Sequence, residues 1–176
     1  LVMSSKGKVL VAMRGGIDST VTALMLHHEG YEVVGITMKT WDYASSGSGA
    51  QGKKETGCCN LDSFNDARAA AVQHGFPHYI LDIRDEFGDF VVENFVDEYL
   101  NGRTPNPCVL CNTHIKWRAL LKRADAMNCD FIATGHYAKV NRHTNGRYYI
   151  SKGVDETKDQ SYVLWGLQQD LLSRTL

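Results

Sequence analysis

The stretch KVLVAMRGGIDS, residues 8–19, decides the fold of this chain. Its apolar first half is typical of a buried parallel strand. Gly15 and Gly16 then predict a tight turn, because glycine lets the backbone bend sharply and approach a ligand closely. The apolar-periodic run that follows predicts a helix, which we expect Ser19 or Thr20 to cap. The N–H groups at such a helix start favour binding of a phosphate or pyrophosphate.

Strands and helices are predicted to alternate along the rest of the chain. Further strands are expected at 32–38, 78–82 and 130–133, helices at 19–29, 62–74, 85–100, 112–127 and 168–176, a long loop at 40–57, and a hairpin from 137–140 and 147–150. This alternation predicts an α/β fold, a doubly wound, Rossmann-like parallel sheet. Ligands of such sheets bind beyond the carboxyl ends of the strands. We therefore expect Gly15, Gly16, Met38, Gly135 and His136 to line one pocket.

Length, composition and charge indicate one ordinary globular domain. The chain has 176 residues, of which 43% are hydrophobic and 22% charged, with a net charge of -1. Residues 82–98 carry seven acids, whereas residues 103–123 carry five bases and no acid. A local basic face of this kind can bind a phosphate backbone. A solvated helix face explains the same charges equally well.

Cysteine usage and hydropathy bear on the cellular setting. Five cysteines without a secretory segment predict a reducing, cytoplasmic environment. No apolar run approaches the ~18 residues of a membrane span, so we expect no membrane contact. Residues 168–176 have the pattern of a helix without a stop signal, which favours a domain truncated near its C-terminal end.

Cys108 and Cys111 lie in the segment TPNPCVLCNTHIK, just after two prolines. The spacing predicts that they reach the start of a helix, where the dipole and Lys116 would stabilise an accessible thiolate. A C-x-x-C pair there is a redox pair, half of a metal site, or a nucleophile with a resolving partner. A structural zinc is less favoured, because the adjacent Cys58 and Cys59 are poorly spaced to complete four ligands.

The glycine loop and three later motifs together carry a family resemblance. GGIDS at 15–19 resembles the SGGxDS loop of the N-type ATP pyrophosphatases (the PP-loop superfamily), which split ATP between its α and β phosphates; Arg14 stands where the family has the first Ser. TPNPCVLCN at 104–112, FIATGHYA at 131–138 and KDQSYVL at 158–164 follow in the same order. The four motifs are similar to those of the bacterial tRNA-specific 2-thiouridylases.

This resemblance implies a fold and an activity. Residues 1–176 would form the N-terminal PP-loop domain, with an adenine nucleotide alpha hydrolase-like fold, and the family's later tRNA-binding and β-barrel domains would be absent. ATP, with Mg²⁺, would adenylate the C2 oxygen of the wobble uridine in tRNAs for Lys, Glu and Gln. A cysteine persulfide would then displace AMP. The implied partners are the tRNA anticodon loop and a persulfide sulfur donor protein. The family's second catalytic cysteine would lie past residue 176, so we expect the isolated chain to be inactive in thiolation.

The resemblance also assigns roles residue by residue. The implied ATP-binding positions are Ala12, Met13, Arg14, Gly15, Gly16, Ile17, Asp18, Ser19, Met38 and Gly135. The implied tRNA-contacting positions are Asn106, Pro107, Cys108, His136, Lys158, Asp159 and Gln160. Cys111 matches the catalytic cysteine, with Cys108 beside it, and Asp18 is the expected carboxylate for the metal. Cys108 stands where many members have Asp, a form thought to bind a [4Fe–4S] cluster through Cys108, Cys111 and a third cysteine outside this chain.

Two other functions fit parts of the pattern. Another PP-loop ATP pyrophosphatase, such as a tRNA lysidine synthetase or an amidotransferase-type synthetase, would lack the paired cysteines. A non-catalytic metal or iron–sulfur module that holds RNA would show in its absorption spectrum. Arg14 either binds phosphate directly or fills the space that a small Ser leaves for ATP. We expect nucleotide binding to be weakened or altered in either case.

Overall fold

Alternating strands and helices make up the computed structural model, which describes residues 6–40 and 61–176. The elements are β1 (Lys8–Ala12), α1 (Ile17–His28), β2 (Glu32–Lys39), α2 (Leu61–His74), β3 (His78–Asp82), α3 (Arg84–Phe87), a first π turn (Gly88–Val92), α4 (Glu93–Leu100), α5 (Pro107–Leu110), a second π turn (Cys111–Lys116), α6 (Trp117–Ala126), β4 (Phe131–Thr134), β5 (Ala138–Arg142), β6 (Tyr148–Lys152) and α7 (Gln169–Ser173). Within those two described ranges, no helix is long and apolar enough to cross a membrane. The predicted loop at 40–57, beyond Thr40, lies outside the described residues, as do Cys58 and Cys59.

Four parallel strands form the main sheet, in the order β3-β2-β1-β4. In the register of β1, Val9 lies opposite Val33 of β2 on one side and opposite Phe131 of β4 on the other. β5 and β6 pair separately as the expected antiparallel hairpin. Because β1 lies inside the sheet, with β2 on one side of it and β4 on the other, the connections lead to opposite sides of β1 and create the switch point of a Rossmann-like fold.

Helices cover both faces of this sheet, which confirms the predicted doubly wound α/β fold. On one face, Val9 packs in a cluster with Ala23 of α1 and with residues of α2. On the other face, Leu10 packs in a second cluster with Trp117 and Leu120 of α6. All of these side chains are at most 1% exposed. A strand buried on both faces has no polar side, and this explains the continuous apolar run in the sequence.

The start of α1 differs from the prediction. The helix begins at Ile17 with Gly16 as its N-cap, and no side chain caps it, so the expected cap at Ser19 or Thr20 is wrong. Gly15 has a left-handed φ of +74°, which closes the turn early and places Ser19 inside the first helical turn. Its Oγ accepts a hydrogen bond from the Arg14 N–H (3.2 Å) and donates to the Gly16 carbonyl (3.2 Å). Ser19 therefore fastens the loop rather than capping the helix.

The C-terminal helix is also shorter than predicted. α7 ends at Ser173, and Thr175 forms a parallel bridge with Ile132 of β4. The Ile132 N–H donates to the Arg174 carbonyl (2.8 Å), and the Leu176 N–H donates to the Ile132 carbonyl (3.0 Å). The prediction that this helix continues to residue 176 is wrong. As the edge strand, β4 offers backbone groups for pairing, and the last residues of the chain pair with them.

Gly135, directly after β4, provides a test of how tightly β4 approaches α1. A Cβ at Gly135 would lie 2.8 Å from the Ser19 nitrogen, whereas a Cβ at Gly16 would meet nothing within 4 Å. We expect Gly135→Ala to lower the free energy of unfolding by ~1–3 kcal/mol, the usual cost of overpacking. Gly16→Ala is the matched control and should cost about 0.5 kcal/mol, since Ala is a poorer N-cap. Equal urea denaturation midpoints for the two variants would contradict this close contact.

Candidate functional site

A cavity opens at the carboxyl ends of β1, β2 and β4. We call it the first cavity; it is lined by Ala12, Arg14, Gly16, Asp18, Ser19, Met38, Asn112, Lys116, Trp117, Leu120, Thr134, Gly135 and His136. The sheet thus brings Gly16, Met38, Gly135 and His136 together, as the switch-point rule predicts. Gly15 shapes the loop but does not line the cavity. The assigned roles of these residues in binding ATP stay predictions.

A second cavity adjoins the first and contains both cysteines. It is lined by Arg14, Met38, Thr40, Phe87, Pro107, Cys108, Cys111 and Lys116, and its volume is about 170 Å³. Arg14, Met38 and Lys116 line both cavities. The glycine loop and the cysteine segment therefore lie on the same side of the sheet and open onto neighbouring space.

The glycine loop leaves room for a ligand at the start of α1. Gly16 lines the cavity, and no atom of the described residues lies within 4 Å of the position that a Cβ at Gly16 would occupy. The first N–H groups of a helix have no partners within the helix and carry its positive dipole end. Arg14 and Lys116 add two cationic side chains to the same wall. This combination favours a polyanionic ligand such as a phosphate chain.

His136 contributes a neutral imidazole to the cationic wall. Burial, together with the nearby charges of Lys116 and Arg14, lowers the pKa of His136 to about 4. Its Nδ1 shares a hydrogen bond of 2.7 Å with the Thr134 hydroxyl, which fixes the ring orientation. At neutral pH the ring can therefore donate or accept a hydrogen bond without repelling the two cations.

Asp18 is held by a residue that the sequence reasoning missed. The Tyr137 hydroxyl donates a hydrogen bond of 2.9 Å to Asp18 Oδ1. This bond, together with the carboxylate charge, raises the pKa of the Tyr137 phenol. On the other side of the ring, the Lys158 Nζ lies 5.5 Å from the ring centroid. Tyr137 belongs to the FIATGHYA motif, so its position beside Gly135 and His136 was the available signal.

The cysteine segment begins its helix earlier than predicted. Asn106 is the N-cap, its side chain accepts a hydrogen bond from the Val109 N–H (3.3 Å), and Pro107 is the first helical residue. Cys108 is exposed, as expected of a residue in the first turn. Cys111 is the fifth helical residue and only 2% exposed, so the predicted accessible thiol at a helix start is wrong for Cys111. It faces the core and reaches open space through the second cavity.

The structure offers limited support for a metal. Within residues 6–40 and 61–176, no group of three or more His, Cys, Asp and Glu residues could hold a metal ion. The predicted [4Fe–4S] cluster on Cys108 and Cys111 is therefore without structural support and stays a prediction. Mg²⁺ needs fewer protein ligands, because it commonly binds one or two carboxylates together with water and substrate phosphates. Asp18, at the cationic end of the first cavity, fits that role.

Two of the residues predicted to contact tRNA, Asp159 and Gln160, form hydrogen bonds within the chain. Gln160 binds the backbone of Tyr137 twice: its Oε1 accepts from the Tyr137 N–H (3.1 Å), and its own N–H donates to the Tyr137 carbonyl (2.9 Å). Asp159 Oδ1 accepts from the Gly153 N–H (3.1 Å). Lys158 is exposed. Gln160 thus holds the backbone of Tyr137, whereas Asp159 fastens the turn at Gly153. Contact of any of the three with tRNA stays a prediction.

Asn112 and the apolar floor of the first cavity are further residues that sequence reasoning missed as site residues. Trp117 and Leu120 are each 1% exposed, and Asn112 is 2% exposed. Trp117 and Leu120 had the pattern of ordinary core residues, and nothing in the periodicity marks their contact with a cavity. Asn112 follows Cys111 directly, and a polar residue at a buried helical position was the available signal.

These observations define the class of protein. The strand order, the glycine turn after β1 and the cavity at the switch point are those of a Rossmann-like α/β domain with an anion site.

Comparison with known families specifies this class further. The family model described as "tRNA methyl transferase HUP domain" matches residues 7–176, and the chain belongs to this family. Proteins named tRNA-specific 2-thiouridylase MnmA are similar to it: the one from Amoebophilus asiaticus is 71% identical over 171 residues, 97% of this chain and 44% of that protein. The one from Cytophaga hutchinsonii is 70% identical over 174 residues, 99% of this chain and 46% of that protein. The resemblance inferred from the four motifs is confirmed. The chain spans about half the length of the curated relatives it matches.

Among solved structures, the glutamine-dependent NAD+ synthetase from Acinetobacter baumannii in complex with ADP is similar to this chain. It has a TM-score of 0.48 and 17% identity, and the match covers 72% of this chain and 21% of that one.

The depressed pKa of His136 predicts a pH-dependent stability. In the unfolded chain this imidazole binds a proton near pH 6.5, whereas in the folded chain it does so only near pH 4. The stability that the neutral ring confers is complete above pH 6.5 and is lost as the pH falls toward 4. The slope of the unfolding free energy against pH measures how many more protons the unfolded chain binds than the folded chain. We expect His136→Asn to reduce this difference by up to about one proton in this window.

Urea denaturation between pH 4.5 and 7.5 measures this slope. His78, whose pKa is lowered chiefly by burial, acts in the same direction and remains in both proteins. A residual slope in His136→Asn is therefore expected, whereas a slope equal to that of the wild type would show that His136 is protonated freely in the folded state.

Proposed function

We propose that this chain is the ATP-binding catalytic domain of a tRNA 2-thiouridylase. The observation that carries the proposal is that Arg14, Met38 and Lys116 line both cavities, so the phosphate loop and Cys111 open onto adjoining space. Membership of the family and the names of the similar proteins support the same conclusion.

In the first step, the C2 oxygen of uridine attacks the α-phosphorus of ATP, and pyrophosphate leaves. A carbonyl oxygen is a poor leaving group, and adenylation converts it into a phosphate ester oxygen that departs readily. The loop N–H groups, Arg14 and Lys116 would stabilise the charge that develops on the phosphates. Asp18, oriented by Tyr137, would hold Mg²⁺, which neutralises charge on the departing pyrophosphate when bound.

In the second step, sulfur replaces the activated oxygen. The terminal sulfur of a cysteine persulfide attacks C2, and AMP leaves with the former carbonyl oxygen. A second thiol then attacks the cysteine sulfur of the remaining sulfur–sulfur bond: 2-thiouridine leaves with the reduced outer sulfur, and the two cysteine sulfurs are joined in a disulfide. Cys111, in the second cavity, would supply one of these two cysteine sulfurs. Its burial protects it from solvent and limits its access to groups that enter this cavity.

A uracil ring would reach the second cavity only after leaving its stack. The cavity is mostly apolar, with Met38, Phe87 and Pro107 among its lining residues. Bases of single-stranded RNA loops are unstacked at low cost and commonly enter such pockets. Asn106 is exposed next to Pro107, in position to meet the flanking nucleotides. A base pocket of this kind, together with the resemblance to the 2-thiouridylases, supports the wobble uridine of the anticodon loop of tRNAs for Lys, Glu and Gln as the proposed substrate.

The reaction also requires a sulfur source and a compatible compartment. We propose a persulfide-carrying donor protein as the partner and the cytoplasm as the location, because thiols stay reduced there and the disulfide that the reaction leaves is reduced again. Since the chemistry uses two thiols and a tRNA surface, we expect these 176 residues alone to bind nucleotide without completing thiolation.

The two cysteines provide a test with a matched control. In the protein that carries this domain, Cys111→Ser should abolish thiouridine formation while retaining tRNA-dependent release of pyrophosphate, because adenylation needs no thiol whereas the serine hydroxyl cannot carry or exchange sulfur. Cys108→Asp, at the neighbouring exposed position, should keep most of the thiolation activity. Mass spectrometry of nucleosides from the product tRNA, with pyrophosphate release measured in parallel, separates the two steps.

The reverse pattern would contradict the proposal. If Cys111→Ser still forms thiouridine, Cys111 is not a thiol of the reaction. If Cys108→Asp abolishes the activity and the absorption of an iron–sulfur cluster together, the cysteine pair binds a cluster instead.

A further inference from the structure

Asn112 is a buried amide that faces the first cavity without a protein partner. Its side chain is only 2% exposed and lines the cavity. Among the residues that the structure describes, none forms a hydrogen bond with its Oδ1. Burying an amide oxygen without a donor is unfavourable, so a retained group of this kind indicates a ligand that supplies the donor. We infer that Asn112 recognises the adenine base of the bound nucleotide by accepting a hydrogen bond from its 6-amino group.

The surroundings of Asn112 suit a flat base rather than a phosphate. Trp117 and Leu120, both 1% exposed, contribute an apolar floor to the same cavity. The unpartnered atom of Asn112 is an oxygen acceptor, and a phosphate chain offers oxygen acceptors rather than the donor that it needs. Nucleotide sites generally combine such an apolar floor with a few polar groups that fix orientation.

Asn112 and its neighbour Cys111 lie in the second π turn and line different cavities. Asn112 and Lys116 both lie in that turn and both line the first cavity, whereas Cys111, one residue earlier, lines only the second. Consecutive residues thus serve different cavities: the amide faces the proposed nucleotide and the thiol faces the proposed target base. π turns of this kind occur often at functional sites.

The edge of adenine is complementary to an Asn amide. Its 6-amino group is a donor beside a ring-nitrogen acceptor, and an Asn side chain offers the complementary acceptor and donor. Purine riboside triphosphate differs from ATP only by lacking the 6-amino group, so it isolates the proposed bond. This inference rests on the proposed function, specifically on binding of an adenine nucleotide in the first cavity.

Isothermal titration calorimetry with Mg²⁺ tests the assignment. Wild-type protein should bind ATP at least about tenfold more tightly than purine riboside triphosphate, the usual effect of one good hydrogen bond. Asn112→Leu, which is close to isosteric, should lose about tenfold in ATP affinity and show less than twofold preference between the two ligands. Asn112→Ala repeats the measurement if the Leu variant does not fold.

Thr113 provides the matched control. Its buried Oγ1 also has no hydrogen-bond partner among the described residues, but Thr113 lines neither cavity. Thr113→Val should therefore leave both affinities unchanged, which separates recognition of the ligand from a general effect of removing a buried polar group.

The remaining outcomes each overturn a defined statement. If wild type binds ATP and Asn112→Leu keeps the same preference for the 6-amino group, the inference fails while the proposed function stands. If the variant loses preference for ATP over 2′-deoxy-ATP instead, Asn112 contacts the ribose and the assignment to adenine is wrong. If wild type binds no ATP, the proposed function and this inference fail together.

Discussion

The position of β1 inside the parallel sheet is the constraint on which the rest of the structure depends. With β2 on one side and β4 on the other, the chain must leave β1 toward one face through the glycine turn, while the helical segment 107–126 covers the opposite face. The close approach of Gly135 to Ser19 then fixes the end of β4 against the start of α1. A crevice necessarily opens where these elements separate, and the first cavity occupies it.

Electrostatics give this crevice its chemical character. Arg14 and Lys116 supply positive charge, and His136 stays neutral because burial and those cations oppose its protonation. Asp18 adds a carboxylate at the rim, where Tyr137 holds it. A neutral ring between two cations preserves hydrogen-bonding capacity without adding repulsion, and the single carboxylate leaves the wall attractive to a triphosphate with its magnesium ion.

The strands could be predicted to within about two residues, because strands buried on both faces have uninterrupted apolar sequences. The helix of the cysteine segment was predicted at residue 112, although Asn106 and Pro107 carry the N-cap and first-position signal of a start at 107. That displacement by five residues explains the wrong prediction of an accessible Cys111. Which of two consecutive helical residues lines which cavity depends on how the folded helix is oriented, so the division of Cys111 and Asn112 between two cavities could not be predicted.

The sequence predicted where the site lies in the fold, but not which side chains contact one another within it. Gly16, Met38 and Gly135 could be brought together from strand order alone, since the carboxyl ends of parallel strands share one edge. Tyr137, Trp117 and Leu120 could not, because their roles depend on side-chain directions that only the folded chain defines. Asp159 and Gln160 are predicted by the motif to contact RNA, yet in the structure Gln160 bonds the backbone of Tyr137 and Asp159 bonds that of Gly153.

The central claim is that one nucleotide spans from the glycine loop to the neighbourhood of the cysteine segment. A crystal structure with Mg²⁺ and an ATP analogue that cannot be cleaved between its α and β phosphates tests it most directly. We predict phosphates on residues 14–19, the base in the first cavity, and the α-phosphate at the boundary formed by Arg14, Met38 and Lys116. A nucleotide bound elsewhere, or one whose α-phosphate faces away from the second cavity, would contradict the account.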